Sequence, residues 1–109
     1  MKTFRTALFG VLTAVTALST AAWAGSHTVE ESGKKFSAKK MEIKAGDTIT
    51  FKNADKITHN IYSSSKGHEF TTKARKPGDE VTLTFDKEGK IKIRCALHPK
   101  MRMTVTVKK

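Results

Sequence analysis

Apolar and polar residues alternate strictly in short runs, and this narrows the fold more than any other feature of the chain. Met41 and Ile43 alternate with charged residues, and Ile49 and Phe51 with Thr48, Thr50 and Lys52. Val81, Leu83 and Phe85 alternate with Thr82 and Thr84, and Ile91, Ile93 and Cys95 with Lys90, Lys92 and Arg94. Val105 and Val107 close the series. A period of two places every second side chain on one face, so each run reads as a half-buried strand. Ala45-Gly46-Asp47, Pro77-Gly78-Asp79 and Asp86-Lys87-Glu88-Gly89 separate the runs with turn-forming residues. His27 to Lys40 reads as two short strands around a turn at Ser32-Gly33, anchored by Val29 and Phe36. Ser63 to Lys76 is a polar loop with little pattern. The predicted fold is all-β, a sandwich or barrel of seven or eight short strands in one domain.

The N-terminus has a different character. Lys2 and Arg5 are followed by an apolar stretch, Leu8 to Leu18, too short to span a bilayer comfortably. Ala22-Trp23-Ala24 has the small-x-small pattern of a cleavage site. Residues 1–24 read as a secretory signal peptide and 25–109 as the mature domain, with a periplasmic destination and no membrane insertion after cleavage. The mature chain of about 85 residues can build one modest core. Its single cysteine, Cys95, cannot form an intramolecular disulfide, and a metal is a common source of stability in such a domain. Without Lys2 and Arg5, 19 basic residues face 10 acidic ones, a mature charge of about +9. The chain lacks the interleaved basic and aromatic residues of a nucleic-acid surface, so no nucleic acid is expected. The positive surface instead suits steering towards an acidic partner protein.

Chemistry concentrates in Cys95-Ala96-Leu97-His98-Pro99-Lys100-Met101-Arg102-Met103. A thiolate, an imidazole and a thioether lie within seven residues at the end of a strand pattern, and these donors suit both oxidation states of copper. Any one of them alone would read as core filling. A second histidine is available at His59, which shares a face with Ile57 and Ile61 by period-two alternation and points inward. His68 reads as exposed. So does His27, although it could bind metal adventitiously beside the freed amino group. A hydrolase built on Cys95 and a histidine would leave the methionines unexplained and has no orienting acid motif.

Taken together, His59-Asn60 after a strand, the Pro77-Gly78 turn and Cys95-x2-His98-x2-Met101 before a final strand resemble the cupredoxins, the small type 1 copper proteins. The resemblance runs from Met41 to Val107 and is nearest to amicyanin, plastocyanin and pseudoazurin. It implies a Greek-key β-sandwich, one type 1 copper ion, and His59, Cys95 and His98 as a trigonal ligand set. It implies Met101 as the axial ligand, with Met103 as the alternative, and Asn60 as the residue that ties the two ligand segments together. Ile93 and Leu97 depart from plastocyanin and its relatives, which usually carry an aromatic and a proline there. The function implied is that of a monomeric one-electron carrier between redox partners and not an enzyme. The alternative is a periplasmic copper-binding protein for tolerance or trafficking.

Overall fold

The structure, a computed structural model, describes residues 24–109. The predicted signal peptide therefore lies outside the described residues except for Ala24. Nine strands are present: β1 (Ser26–Ser32), β2 (Lys35–Phe36), β3 (Lys40–Lys44), β4 (Asp47–Asn53), β5 (Ile61–Ser63), β6 (Phe70–Thr71), β7 (Glu80–Phe85), β8 (Gly89–Cys95) and β9 (Arg102–Lys108). One sheet has the order β2-β1-β4-β7 and the other β3-β9-β8-β5-β6. β2 is the second short strand expected around Phe36, and the count exceeds the prediction by β6, a two-residue piece too short to show a period.

The alternation performs as expected. Along β4 the buried positions are Asp47, Ile49, Phe51 and Asn53, and along β9 they are Met103, Val105 and Val107. Val29, Ile49, Phe51, Ile61, Ile91, Ile93 and Val105 have no exposed surface, and they fill the space between the sheets. Phe36 meets Phe51, and Phe70 meets Phe85, edge to face with centroids 6.4 Å apart, a favourable arrangement for the ring quadrupoles. On the wet side Thr50 and Thr82 share a hydroxyl hydrogen bond of 2.7 Å across β4 and β7.

Two pairings are parallel, β1 with β4 and β3 with β9, and each joins strands far apart in sequence. The turn after β1 falls on Gly33 and Lys34, with φ of 61° and 60°, rather than on Ser32-Gly33. Positive φ at both central positions is the type I′ requirement, whose twist matches the flanking strands.

Two local expectations are corrected. The run around His59 is not a continuous strand. β5 begins only at Ile61, Ile57 is half-buried, and His59 makes an isolated bridge to Arg75. The stretch read as a patternless loop, Ser63 to Lys76, contains β6 and the buried Arg75. Its order comes from partners distant in sequence.

Candidate metal centre

β8 and β9 are antiparallel neighbours, and residues 96–101 join them at one end of the sandwich. The joining loop is closed by its own backbone. The Cys95 amide donates to the Met101 carbonyl at 3.1 Å, the His98 amide to Cys95 at 3.3 Å, and the Met101 amide to His98 at 2.8 Å. These bonds fold His98 and Met101 back towards Cys95. Across the sheet, Ile61 of β5 pairs with Cys95 of β8, so His59 arrives two residues upstream beside the thiol. Its position is fixed by paired backbone bonds to Arg75 of 3.0 and 2.7 Å.

The donors converge. His59 Nδ1 lies 3.6 Å from Cys95 Sγ. The rings of His59 and His98 are 5.0 Å apart between centroids and inclined at 70°. Cys95 and His59 are wholly buried and Met101 is 1% exposed, while His98 is half-buried. Met103 lies inside β9 opposite Ile93, packed in the core. The structure thus brings together His59, Cys95 and His98, with Met101 buried at the end of their loop, and places Met103 in the strand beyond.

The other nitrogen of His59 explains its orientation. Nε2 is 2.9 Å from Asp55 Oδ2, a partner that accepts from a ring N–H at this nitrogen and so turns Nδ1 towards Cys95. Asp55 is itself held by the amides of Lys34 and Lys56, at 2.9 and 2.8 Å. The His59 ring N–H and these two amides keep its carboxyl well below the usual carboxylate range. With Nε2 on a carboxylate and Nδ1 on the thiol, both ring nitrogens have partners, and a metal ion seated between Nδ1 and Sγ would replace the second contact and keep the first as the bond that orients the ring. Asn60 Oδ1 stands 3.9 Å from Cys95 Sγ. A thiol donates to that oxygen. A metal-bound thiolate would instead accept from the amide nitrogen, which a flip of the side chain puts in the same place.

Sequence reasoning missed several supports. Asp55 is one, and its only sequence signal is a carboxylate four residues before a histidine. Asn53 is another: its Nδ2 donates to the carbonyls of Ile57 and Arg75 at 2.9 and 2.8 Å, bracketing the His59 segment. Arg75 is the third. It reaches between the sheets to Glu31 Oε2 at 2.6 Å and to the Phe51 carbonyl at 3.1 Å. Glu31 Oε1 and Arg75 Nε are buried without a partner.

The remaining histidines lie elsewhere and are half-buried rather than exposed. His68 contacts the Lys66 and Lys87 carbonyls, and His27 contacts Asp47 at 3.0 Å. The His27 ring, with the amides of Lys44 and Gly25, lowers the Asp47 pKa to about 2.

Comparison with known proteins agrees with this geometry. The family model of copper binding proteins, plastocyanin/azurin family, matches residues 24–108. The methylamine utilization protein MauL of Methylophilus methylotrophus is 31% identical over 87 residues, covering 77% of this chain and 50% of that protein. The chain therefore spans about half the length of this curated relative. A purple cupredoxin from Nitrosopumilus maritimus superposes with a TM-score of 0.67 at 29% identity, covering 74% of this chain and 98% of that one. A reduced amicyanin variant gives a TM-score of 0.72 at 26% identity, covering 80% and 86% respectively. The cofactor these relations imply is a single copper ion, and the donors gathered at Cys95 are chemically suited to it. The chain belongs to the plastocyanin/azurin family of copper-binding proteins and is a cupredoxin.

Proposed function

We propose that the chain is an exported one-electron carrier whose copper is held by His59 Nδ1, Cys95 Sγ and His98, with Met101 as the weak axial donor. Copper, when bound, supplies a one-electron couple. The observation that carries this reading is the contact of His59 Nδ1 with a buried thiol at 3.6 Å, with its other nitrogen held by Asp55. A ligand set locked by Asp55, Asn53 and the bridge to Arg75 can change little between oxidation states, which favours electron exchange over substrate chemistry. Burial of Cys95, His59 and Met101 keeps bulk water off the donors, which favours a carrier over an enzyme.

His98 is the donor nearest the surface, and its ring is the route for the electron. Around it Ala96 and Pro99 are exposed and Leu97 is 55% exposed, an apolar rim on which a partner can seat. Lys34, Lys35 and Lys100 border the same groove. Lys39, Lys92, Arg94 and Arg102 extend the positive charge along the neighbouring face. This arrangement suits a brief complex with an acidic redox partner, with little area buried. Similarity to amicyanin, known in oxidised and reduced forms, supports a place among redox proteins. Export to the periplasm rests on Lys2, Arg5, the apolar Leu8–Leu18 stretch and the Ala22-Trp23-Ala24 site, and the mature chain acts as a monomer.

The test is reversible redox cycling of the copper-loaded protein against an acidic redox protein, followed by stopped flow. Repeated turnover without copper loss supports the carrier. Copper transfer to an acceptor chelator or apo-protein, with slow electron exchange, would show a copper-handling protein instead.

A further inference from the structure

His27 is the third residue of the mature chain if cleavage follows Ala24, so the new terminus reads Gly25-Ser26-His27. Four nitrogens then lie in sequence: the Gly25 amino group, the Ser26 and His27 backbone nitrogens, and the His27 imidazole. Fused chelate rings through these atoms form a plane of four nitrogen donors, which copper(II) and nickel(II) favour and tetrahedral zinc does not. Asp47 already holds both ends of this segment. Gly25 N donates to its Oδ1 at 2.7 Å, and His27 Nε2, the ring nitrogen that the chelate through Nδ1 leaves free, lies 3.0 Å from its Oδ2. We propose that the mature terminus Gly25-Ser26-His27 is a second, square-planar copper(II) site, separate from the cysteine centre. The proposal rests on the export reading, and on cleavage at Gly25 in particular.

The site sits at the far end of the sandwich. Gly25, His27 and Asp47 share a groove with Lys108 and Lys109, whereas the cysteine loop joins the other end of β9. Seven residues of strand, about 20 Å, separate the two. Binding has a local structural requirement. A strand points successive N–H groups to opposite sides, and the chelate needs them turned to one centre. Residues 25–27 must therefore leave the first rungs of the β1–β4 ladder, Ser26 with Thr48 and His27 with Ile49, and the Thr48 amide loses its hold on the Gly25 carbonyl at 2.9 Å. These rungs are the last of the strand, where opening is easiest. Val29, wholly buried, anchors the remainder.

Charge does not oppose the complex. The ammonium loses one proton on binding and the two amides lose one each. Two amidate charges then balance the dication, so Lys44, Lys108 and Lys109 around the groove face a neutral chelate.

The experiment uses the exported protein, its first residue established by intact mass and its cysteine centre filled with one equivalent of copper. Copper(II) chloride and, separately, nickel(II) chloride are then titrated in, with visible and electron-paramagnetic-resonance spectra and amide exchange as readouts. A second copper should bind with a nitrogen-rich spectrum, leave the first site's absorption unchanged and speed exchange of the Thr48 amide. Nickel(II) should occupy the same site. His27→Ala should reduce the stoichiometry from two copper ions to one. A chain that keeps Ala24 ahead of Gly25 moves the imidazole to fourth position and should do the same, although His27 and Asp47 are both intact. A second ion bound equally by the Ala24-extended chain or by His27→Ala would overturn the proposal, as would the absence of a second ion. An exported protein beginning at any residue other than Gly25 also overturns it for the native protein. Loss of the first site's absorption band alone bears instead on the cysteine centre.

Discussion

Met101 and Met103 pose the sharpest question at the scale of single residues. Both are buried, yet Met101 ends the cysteine loop and Met103 pairs with Ile93 inside the sheet. Met101→Leu keeps volume and apolarity but removes a sulfur that helps the oxidised ion, so the reduction potential should rise. Met103→Leu should leave it nearly unchanged and cost less than about 1.5 kcal/mol of stability. Protein-film voltammetry on both variants decides this, and a large shift confined to Met103→Leu reverses the axial assignment. Asp55 reaches the metal centre through His59, and it also accepts from the Lys34 and Lys56 amides. Asp55→Ala frees the ring to rotate, and copper affinity measured by chelator competition should fall about 10–100-fold. An affinity equal to that of the parent protein would mean that Asn53 and Arg75 suffice to hold the ligand. The clustering of Cys95 and His98 was legible in the sequence because donor identity and spacing are local, whereas His59 turns inward through its bridge to Arg75 and not through the continuous strand expected there. Asp55 was not legible, because nothing in a run of polar residues says which carboxylate will meet a ring.

Elements show the same division. The longer strands, β4, β7, β8 and β9, were readable because burial of one face imposes alternation. β6 was not, since two residues carry no period, and the equally short β2 was legible only through the turn before it and Phe36. Alternation also assigns a face without naming a neighbour, so the parallel pairings of β1 with β4 and β3 with β9 left no trace in the sequence. The Arg75–Glu31 pair, 44 residues apart, is the furthest from view, and it holds the His59 segment against the opposite sheet. Glu31 is 0% and Arg75 5% exposed, so removing one partner strands a buried charge. Glu31→Ala should destabilise the metal-free protein by about 3–5 kcal/mol. Urea unfolding measures this directly, and a change below about 1 kcal/mol would show that the Arg75 guanidinium reaches solvent or another partner in the variant.

For the whole molecule, about nine excess positive charges on the mature chain govern encounter rather than fold. Association with an acidic redox partner should slow as ionic strength rises, because screening at physiological salt acts over roughly 8 Å. Stopped-flow rates that stay flat or rise with salt would assign the docking surface to the apolar rim of Ala96, Leu97 and Pro99 alone. The central claim is that the end of the sandwich bearing Cys95 holds copper through a thiolate. It is tested most directly by the visible and electron-paramagnetic-resonance spectrum of the copper-loaded protein beside Cys95→Ser. The parent should show an intense sulfur-to-copper charge-transfer band that disappears in the variant. A parent without that band, or a variant that keeps it, would contradict the assignment.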